Sequence, residues 1–186
     1  EESMKFKFGK KNLLITFHPS TLEKESPGEQ FIEIIEALKT FNDIKYIFTF
    51  PNPDPYNREI INEIKKYCMS NHHAIWFISL GQIRYLSCLK YIDGVVGNSS
   101  SGIIEAPSFK IGTVNIGNRQ KGRIKARSVI DVTPNKNEIK QGIKTIFSRK
   151  LLYKQKDRAY SDTFEAEISA ISAIYAFSWI LPGMKH

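Results

Sequence analysis

The chain has 186 residues, of which 41% are hydrophobic and 25% charged, an ordinary globular balance that excludes collagen-like, mucin-like and wholly disordered sequences. The length fits one domain with a core that needs no disulfide or metal staple. A net charge of +8 and a sequence pI near 9.4 point to anionic partners, without separating nucleic acid, a phosphorylated small molecule or a Lys-rich solvated face.

Taken in order, Asn12 to Phe17 is a short apolar run bounded by Lys and His-Pro and reads as a buried strand. Pro27-Gly28-Glu29 opens a helix with Phe31, Ile34, Ile35 and Leu38 at helical spacing. Tyr46 to Phe50 is strand-like and stops at Pro51-Asn52-Pro53. A helix is expected from Tyr56 to Met69, a strand from Ala74 to Ile78, and a helix from Gln82 to Tyr91. Gly94 to Gly97 reads as a very short strand, followed by a serine loop and a short helix from Ile103. Gly112 to Ile116 and Ser128 to Val132 are two further strands with a basic loop between them. A last helix starts at Thr133-Pro134-Asn135 and carries Ile139, Ile143 and Ile146 as its stripe.

Strands alternating with helices, and no hairpin signals between them, predict an α/β fold: a parallel sheet with helices on both faces. Ligands of such sheets bind outside the carboxyl ends of the strands, so the loops after each strand are where chemistry is expected. The predicted organisation is one domain over residues 1–150 and a divergent helical tail over 151–186.

Three loops stand out. His18-Pro19-Ser20-Thr21 follows the first strand; Pro19 holds His18 extended, either facing the crevice or hydrogen-bonded in a capping loop. Gly97-Asn98-Ser99-Ser100-Ser101-Gly102 combines small residues, hydroxyl donors and a helix start, which suits an anion and equally suits a plain serine N-cap. Glu105 lies a turn into that helix, where a carboxylate can accept from vicinal hydroxyls or simply complement the helix dipole. The third loop, Asn118 to Arg127, holds Arg119, Lys121, Arg123, Lys125 and Arg127. A guanidinium fork suits phosphate; a solvated basic loop is the plain alternative. Aromatic interleaving for base stacking is missing, which speaks against nucleic acid.

Elsewhere the signals are structural. Cys68 and Cys88 read as buried small hydrophobes, and His72-His73 as a solvated turn at the opposite edge of the sheet. The four histidines show no HxxxH or HExxH spacing, so no metal site is expected. The apolar stretch from Ile168 to Leu181 is broken by serines and shorter than the ~20 residues of a membrane span. With no signal-peptide pattern at the start, the expectation is a soluble cytoplasmic protein with no membrane partner. The opening Glu1-Glu2-Ser3, with the first Met at position 4, suggests a piece of something longer.

GNSSSGIIEA (Gly97–Ala106), TVNIGNRQKGR (Thr113–Arg123) and FHPST (Phe17–Thr21) together resemble the hydrolysing UDP-N-acetylglucosamine 2-epimerases, a family that includes enzymes of sialic-acid-type sugar synthesis. The likeness runs from about Leu13 to Ile146. It implies the C-terminal, nucleotide-binding half of a GT-B-like enzyme made of two Rossmann-like domains. The family reaction eliminates UDP to leave a glycal and then adds water with inversion at C2, giving a free ManNAc-type sugar and UDP. By resemblance, His18 would sit by the diphosphate and is the catalytic candidate on this chain, with Asn52 lining the same cleft. Ile78 would offer backbone groups to the uracil, Ser99 and Ser100 would hold phosphate oxygens, Glu105 would grip the ribose hydroxyls, and Arg119 would face the nucleotide or phosphate. No cofactor is implied. The carboxylates that move the C2 proton belong to the first domain, so this chain alone is expected to hold the leaving group without turning over. The segment from Phe164 to Leu181 departs from the family's closing helix; an altered reading frame, a divergent helix and a homodimer-forming segment all remain open for it. Two other functions stay open beside the epimerase: the nucleotide half of a GT-B glycosyltransferase, against which the GxRQxGR loop argues, and a basic nucleic-acid-binding domain.

Overall fold

The computed structural model describes residues 4–20, 26–52 and 57–156. Six strands and five helices follow in the order β1 (Asn12–Thr16), α1 (Pro27–Leu38), β2 (Lys45–Thr49), α2 (Asn57–Ser70), β3 (Ala74–Phe77), α3 (Gly81–Leu89), β4 (Gly94–Gly97), α4 (Ser101–Ser108), β5 (Gly112–Ile116), β6 (Val129–Val132) and α5 (Lys136–Lys156). The strands form one sheet in the order β3-β2-β1-β4-β5-β6, parallel throughout. The expected α/β architecture is therefore present.

Local chemistry explains the elements. Strand β1 is buried at every position because both faces of the sheet are covered, whereas the edge strands β3 and β6 are only partly buried. Alternate β1 side chains serve opposite layers. Leu13 and Ile15 pack with Phe31, Ile34 and Leu38 of α1, Ile60 and Ile64 of α2, and Ile139 and Ile143 of α5. Leu14 packs with Cys88 and Leu89 of α3, Ala106 of α4 and the N-terminal Met4 and Phe6. Helix α1 begins where the sequence places it: Pro27 takes the first turn and Ser26 and Glu29 close a reciprocal capping box. The connection from β5 to β6 carries no helix; a loop of about a dozen residues spans that parallel crossover.

Most boundaries differ from the sequence reading by a residue, and two larger differences have a plain physical reason. Helix α4 starts at Ser101, not Ile103, because the first turn can settle directly on the sheet: an added Cβ at Gly102 would lie 2.9 Å from the Thr113 methyl. Thr113 Oγ1 also donates to the Gly102 carbonyl at 2.5 Å. Helix α3 ends at Leu89, not Tyr91, and the released Tyr91 ring stacks on Phe8 at 5.5 Å. Helix α5 runs on through position 150, where the tail was expected to begin. The remainder of that tail, including Phe164 to Leu181, lies outside the described residues. Among the described residues no helix is long and apolar enough to cross a membrane.

Candidate functional site at the carboxyl ends of β1, β4 and β5

The chain runs outward from β1 to β2 and β3, then returns to place β4 on the other side of β1. This reversal opens a crevice at the carboxyl ends of β1 and β4. Gly97, paired with Thr16, makes the close approach there. Its φ is +138°, and a Cβ would fall 2.0 Å from the Thr16 carbonyl oxygen.

Asn98, next in the chain and 1% exposed, ties three loops together. Its Oδ1 accepts from the His18 N–H at 2.7 Å and its Nδ2 donates to the His18 carbonyl at 2.9 Å. Its own carbonyl accepts from Arg119 Nη1 at 3.0 Å and from Gln120 Nε2 at 2.7 Å. The loops after β1, β4 and β5 thus meet on one side chain and one carbonyl. The sequence reading passed over both Asn98 and Gln120 as individual residues. The signal available was a primary amide in each of two loops that follow strands, since buried amides need matched partners.

His18 is buried, and its Nδ1 accepts from the Asn52 N–H at 3.2 Å. An accepting Nδ1 carries no proton, so in the neutral ring the proton sits on Nε2. The geometry therefore joins His18, Asn52 and Arg119 to the serine loop. In that loop the Ser99 and Ser101 hydroxyls lie 2.9 Å apart, and no side chain caps α4. The backbone turns in on itself there instead, the Gly102 and Ile103 N–H groups donating to the Ser99 and Ser100 carbonyls at 3.2 and 3.0 Å. Ile78 stands apart, 74% exposed just beyond β3, with β2 between that strand and β1.

Glu105 is half-buried on α4. Its Oε2 is fully covered and makes no hydrogen bond, and burial raises the carboxyl pKa. Beside it on α3 the covered Tyr85 hydroxyl has its pKa pushed up by burial, with a smaller contribution from the Glu105 charge. The basic loop divides its cations: Arg119 turns to the serine loop, Lys125 forms an ion pair with Asp131 at 2.7 Å, and Lys121 and Arg123 face solvent.

Of the two cysteines expected to be buried, Cys88 is buried and Cys68 is only partly buried against the core. Burial pushes the Cys68 and Cys88 thiols up to about 12 and about 11, leaving no thiolate near neutrality. His73 closes a turn through its N–H to Asn71 Oδ1 at the amino end of β3. Among the described residues no group of three His, Cys, Asp or Glu could hold a metal ion.

The model of the UDP-N-acetylglucosamine 2-epimerase family matches residues 1–174. The polysialic acid biosynthesis protein P7 of Escherichia coli is 40% identical over 147 residues, 77% of this chain and 37% of that protein. The GDP/UDP-N,N'-diacetylbacillosamine 2-epimerase (hydrolyzing) of Campylobacter jejuni is 41% identical over 133 residues, 70% of this chain and 34% of that protein. In fold, the chain is similar to the S. aureus MnaA–UDP co-structure, with a TM-score of 0.60 at 19% identity, covering 95% of this chain and 48% of that one. The chain thus spans a little over a third of the length of these curated relatives and about half of that solved chain. With the family model matching across the serine loop, the His18 loop and the basic loop alike, the chain belongs to the UDP-N-acetylglucosamine 2-epimerase family.

Proposed function

We propose that this chain is the UDP-binding part of a hydrolysing 2-epimerase that acts on UDP-N-acetylglucosamine or a related UDP-acetamido sugar. The observation that carries the reading is the convergence on Asn98, which gathers His18, the serine loop and Arg119 at one edge of the sheet. That edge offers what a nucleoside diphosphate needs. The serine hydroxyls of the loop before α4 supply donors for phosphate oxygens. Arg119 supplies a positive charge, His18 Nε2–H a further donor, and Glu105 an acceptor for ribose hydroxyls. Two relatives support the ligand class by name: one is called a GDP/UDP-sugar 2-epimerase, and another was solved with UDP.

In the proposed reaction the C2 proton is removed as the C1–O bond to UDP breaks, and the electron pair of the C–H bond becomes the C1–C2 double bond of a glycal. Water then returns a hydroxyl to C1 and a proton to the opposite face of C2. The groups on this chain serve the leaving group: they bind the diphosphate and favour the charge that grows on it. The base that takes the C2 proton is assigned to the part of the relatives that this chain does not span. The chain alone is therefore proposed to bind UDP without turning over a UDP-sugar, as a base must stand within hydrogen-bond reach.

Calorimetric titration with UDP, ADP and UDP-N-acetylglucosamine tests the reading. Binding of both uridine ligands with no heat from ADP supports it, as does the absence of free sugar after long incubation. Equal affinity for UDP and ADP, or for any polyanion with a steep salt slope, would refute it in favour of general phosphate or nucleic-acid binding.

A further inference from the structure

The loop that joins β5 to β6 has little apolar packing to hold it. Every residue from Lys121 to Ile124 is exposed, and a Cβ at Gly122 (φ +80°) would meet nothing within 4 Å. Polar contacts therefore place this loop. At its near end Arg119 and Gln120 donate to the Asn98 carbonyl. At its far end Lys125 Nζ donates to both carboxylate oxygens of Asp131 on β6, at 2.7 and 2.8 Å. Asp131 Oδ1 also accepts from Nδ2 of Asn115, at 2.7 Å, and Asn115 is buried on β5. Strand register sets Asp131 opposite Asn115, and Asn115 opposite Gly97, the residue before Asn98. Both anchors thus bear on neighbouring positions of the sheet.

We infer that Lys125 is a positioning residue for Arg119, a role that rests on the proposed nucleotide site. With Asp131 and Asn115 it straps the far end of the basic loop to the sheet, so that the loop carries Arg119 to the serine loop at one place. Lys125 itself touches no ligand; Asp131 neutralises its charge, and it acts only through the loop.

The strap serves position more than stability. Its ion pair is partly open to water, Asp131 more than Lys125, and pairs so placed add little to the folding equilibrium. The contact is nonetheless specific: one ammonium meets both oxygens of a carboxylate whose Oδ1 is held in turn by a buried amide. Between Gln120 and Lys125 only four residues intervene, too few to swing far while both ends are tied. A loop held in this way has Arg119 in place before a ligand arrives, and binding then requires less ordering.

The test is Lys125→Met, which keeps the apolar stem and removes the ammonium. In the free chain, nitrogen-15 relaxation is expected to give lower order parameters for the Arg119 side-chain Nε and for the amides of residues 121–124, with the unfolding midpoint nearly unchanged. UDP affinity is expected to fall about 3- to 10-fold, the scale of one hydrogen bond. In an Arg119→Ala background K125M should cost almost nothing further, because Lys125 acts through Arg119; an undiminished further loss there overturns the inference. Asp131→Asn separates a strap from a phosphate ligand. A strap loses its partner in D131N and UDP affinity falls, whereas a Lys125 that meets phosphate itself is released and affinity rises, which overturns the inference. Unchanged order parameters in K125M overturn it as well, whatever UDP does. A loosened loop in a chain that does not bind UDP would keep the strap but overturn its role in binding, together with the nucleotide site. If K125M fails to fold, D131N carries the same relaxation test and must give the same fall in order.

Discussion

Asn98 grips the backbone of His18 from both sides, accepting from its N–H at 2.7 Å and donating to its carbonyl at 2.9 Å, although the two residues are 80 positions apart. The pairing acts as one extra rung of sheet beyond β1 and β4, made by a side chain where the strands have ended. It fixes His18 in space and leaves the Asn98 carbonyl facing the basic loop, where Arg119 and Gln120 reach it. Three loops that carry candidate ligand groups are therefore tied to one residue.

Substituting Asn98→Ala tests that arrangement. Both backbone groups of His18 would lose their partner at a buried position, at about 1–3 kcal/mol for each group left unsatisfied. Urea unfolding is expected to show a loss on that scale, and calorimetry a fall of about 10-fold or more in UDP affinity. Asn98→Asp should be destabilising as well, since a carboxylate would face the His18 carbonyl where a donor stood.

Gly97→Ala is expected to be worse than any serine substitution in the same loop. The backbone there has φ +138°, and the new Cβ would meet the Thr16 carbonyl oxygen at 2.0 Å. Because that oxygen belongs to the central strand, relief requires moving β1 against β4. Strain and overpacking together place the loss at about 3 kcal/mol or more, visible as a large drop in unfolding midpoint. Ser99→Ala, which removes only a hydroxyl bonded to Ser101, should stay within about 1 kcal/mol.

The sheet was legible because its evidence is local and redundant. Short β-branched runs, a capping box at Ser26 and isoleucine stripes in α1, α2 and α5 each repeat the same message. The end of α4 nearest the site was harder to place, since Ser101 and Gly102 look like loop residues until Thr113 and Val95 are seen to receive them. The clasp itself was legible only as composition. That Asn98 meets His18 depends on β4 returning beside β1, a non-local pairing that no spacing in the chain encodes.

Glu105 gives a pH prediction of definite sign. Burial raises its pKa in the folded chain above the ordinary carboxylate value of 4.5. The folded state therefore binds this proton more tightly than the unfolded one, and stability falls as pH rises from 4.5 through the folded pKa. Glu105→Gln removes that dependence. Its unfolding midpoint should match the unsubstituted chain on the acid side of 4.5 and exceed it near neutrality. UDP affinity should move the other way, falling about 10-fold or more on loss of a charged hydrogen bond. A variant that is more stable yet binds worse is the pattern expected of a group held for its ligand.

His18 carries a prediction about a single proton. Its Nδ1 accepts from the Asn52 N–H, so nitrogen-15 NMR of the neutral ring should show the Nε2–H tautomer. Adding UDP should shift the Nε2 resonance more than the Nδ1 resonance if that N–H meets the diphosphate. His18→Ala should weaken UDP binding by about 10-fold.

Arg119 separates charge from geometry. Its Nη1 donates to the Asn98 carbonyl, which fixes where the guanidinium stands beside the serine loop, and a planar fork placed there suits phosphate oxygens. Arg119→Ala removes both functions, and calorimetry should show UDP affinity lower by about 10-fold or more, at 1.5–3 kcal/mol for a hydrogen bond to a charged group. Arg119→Lys keeps the charge, but a single ammonium cannot hold the carbonyl and fork onto phosphate oxygens in one plane. Its affinity should lie nearer to that of the alanine variant than to that of the unsubstituted chain. Full affinity in R119K would mean that the loop contributes only a diffuse positive field. In that case Lys121 and Arg123, both solvent-facing on the same loop, should be worth as much as Arg119 when each is replaced by alanine.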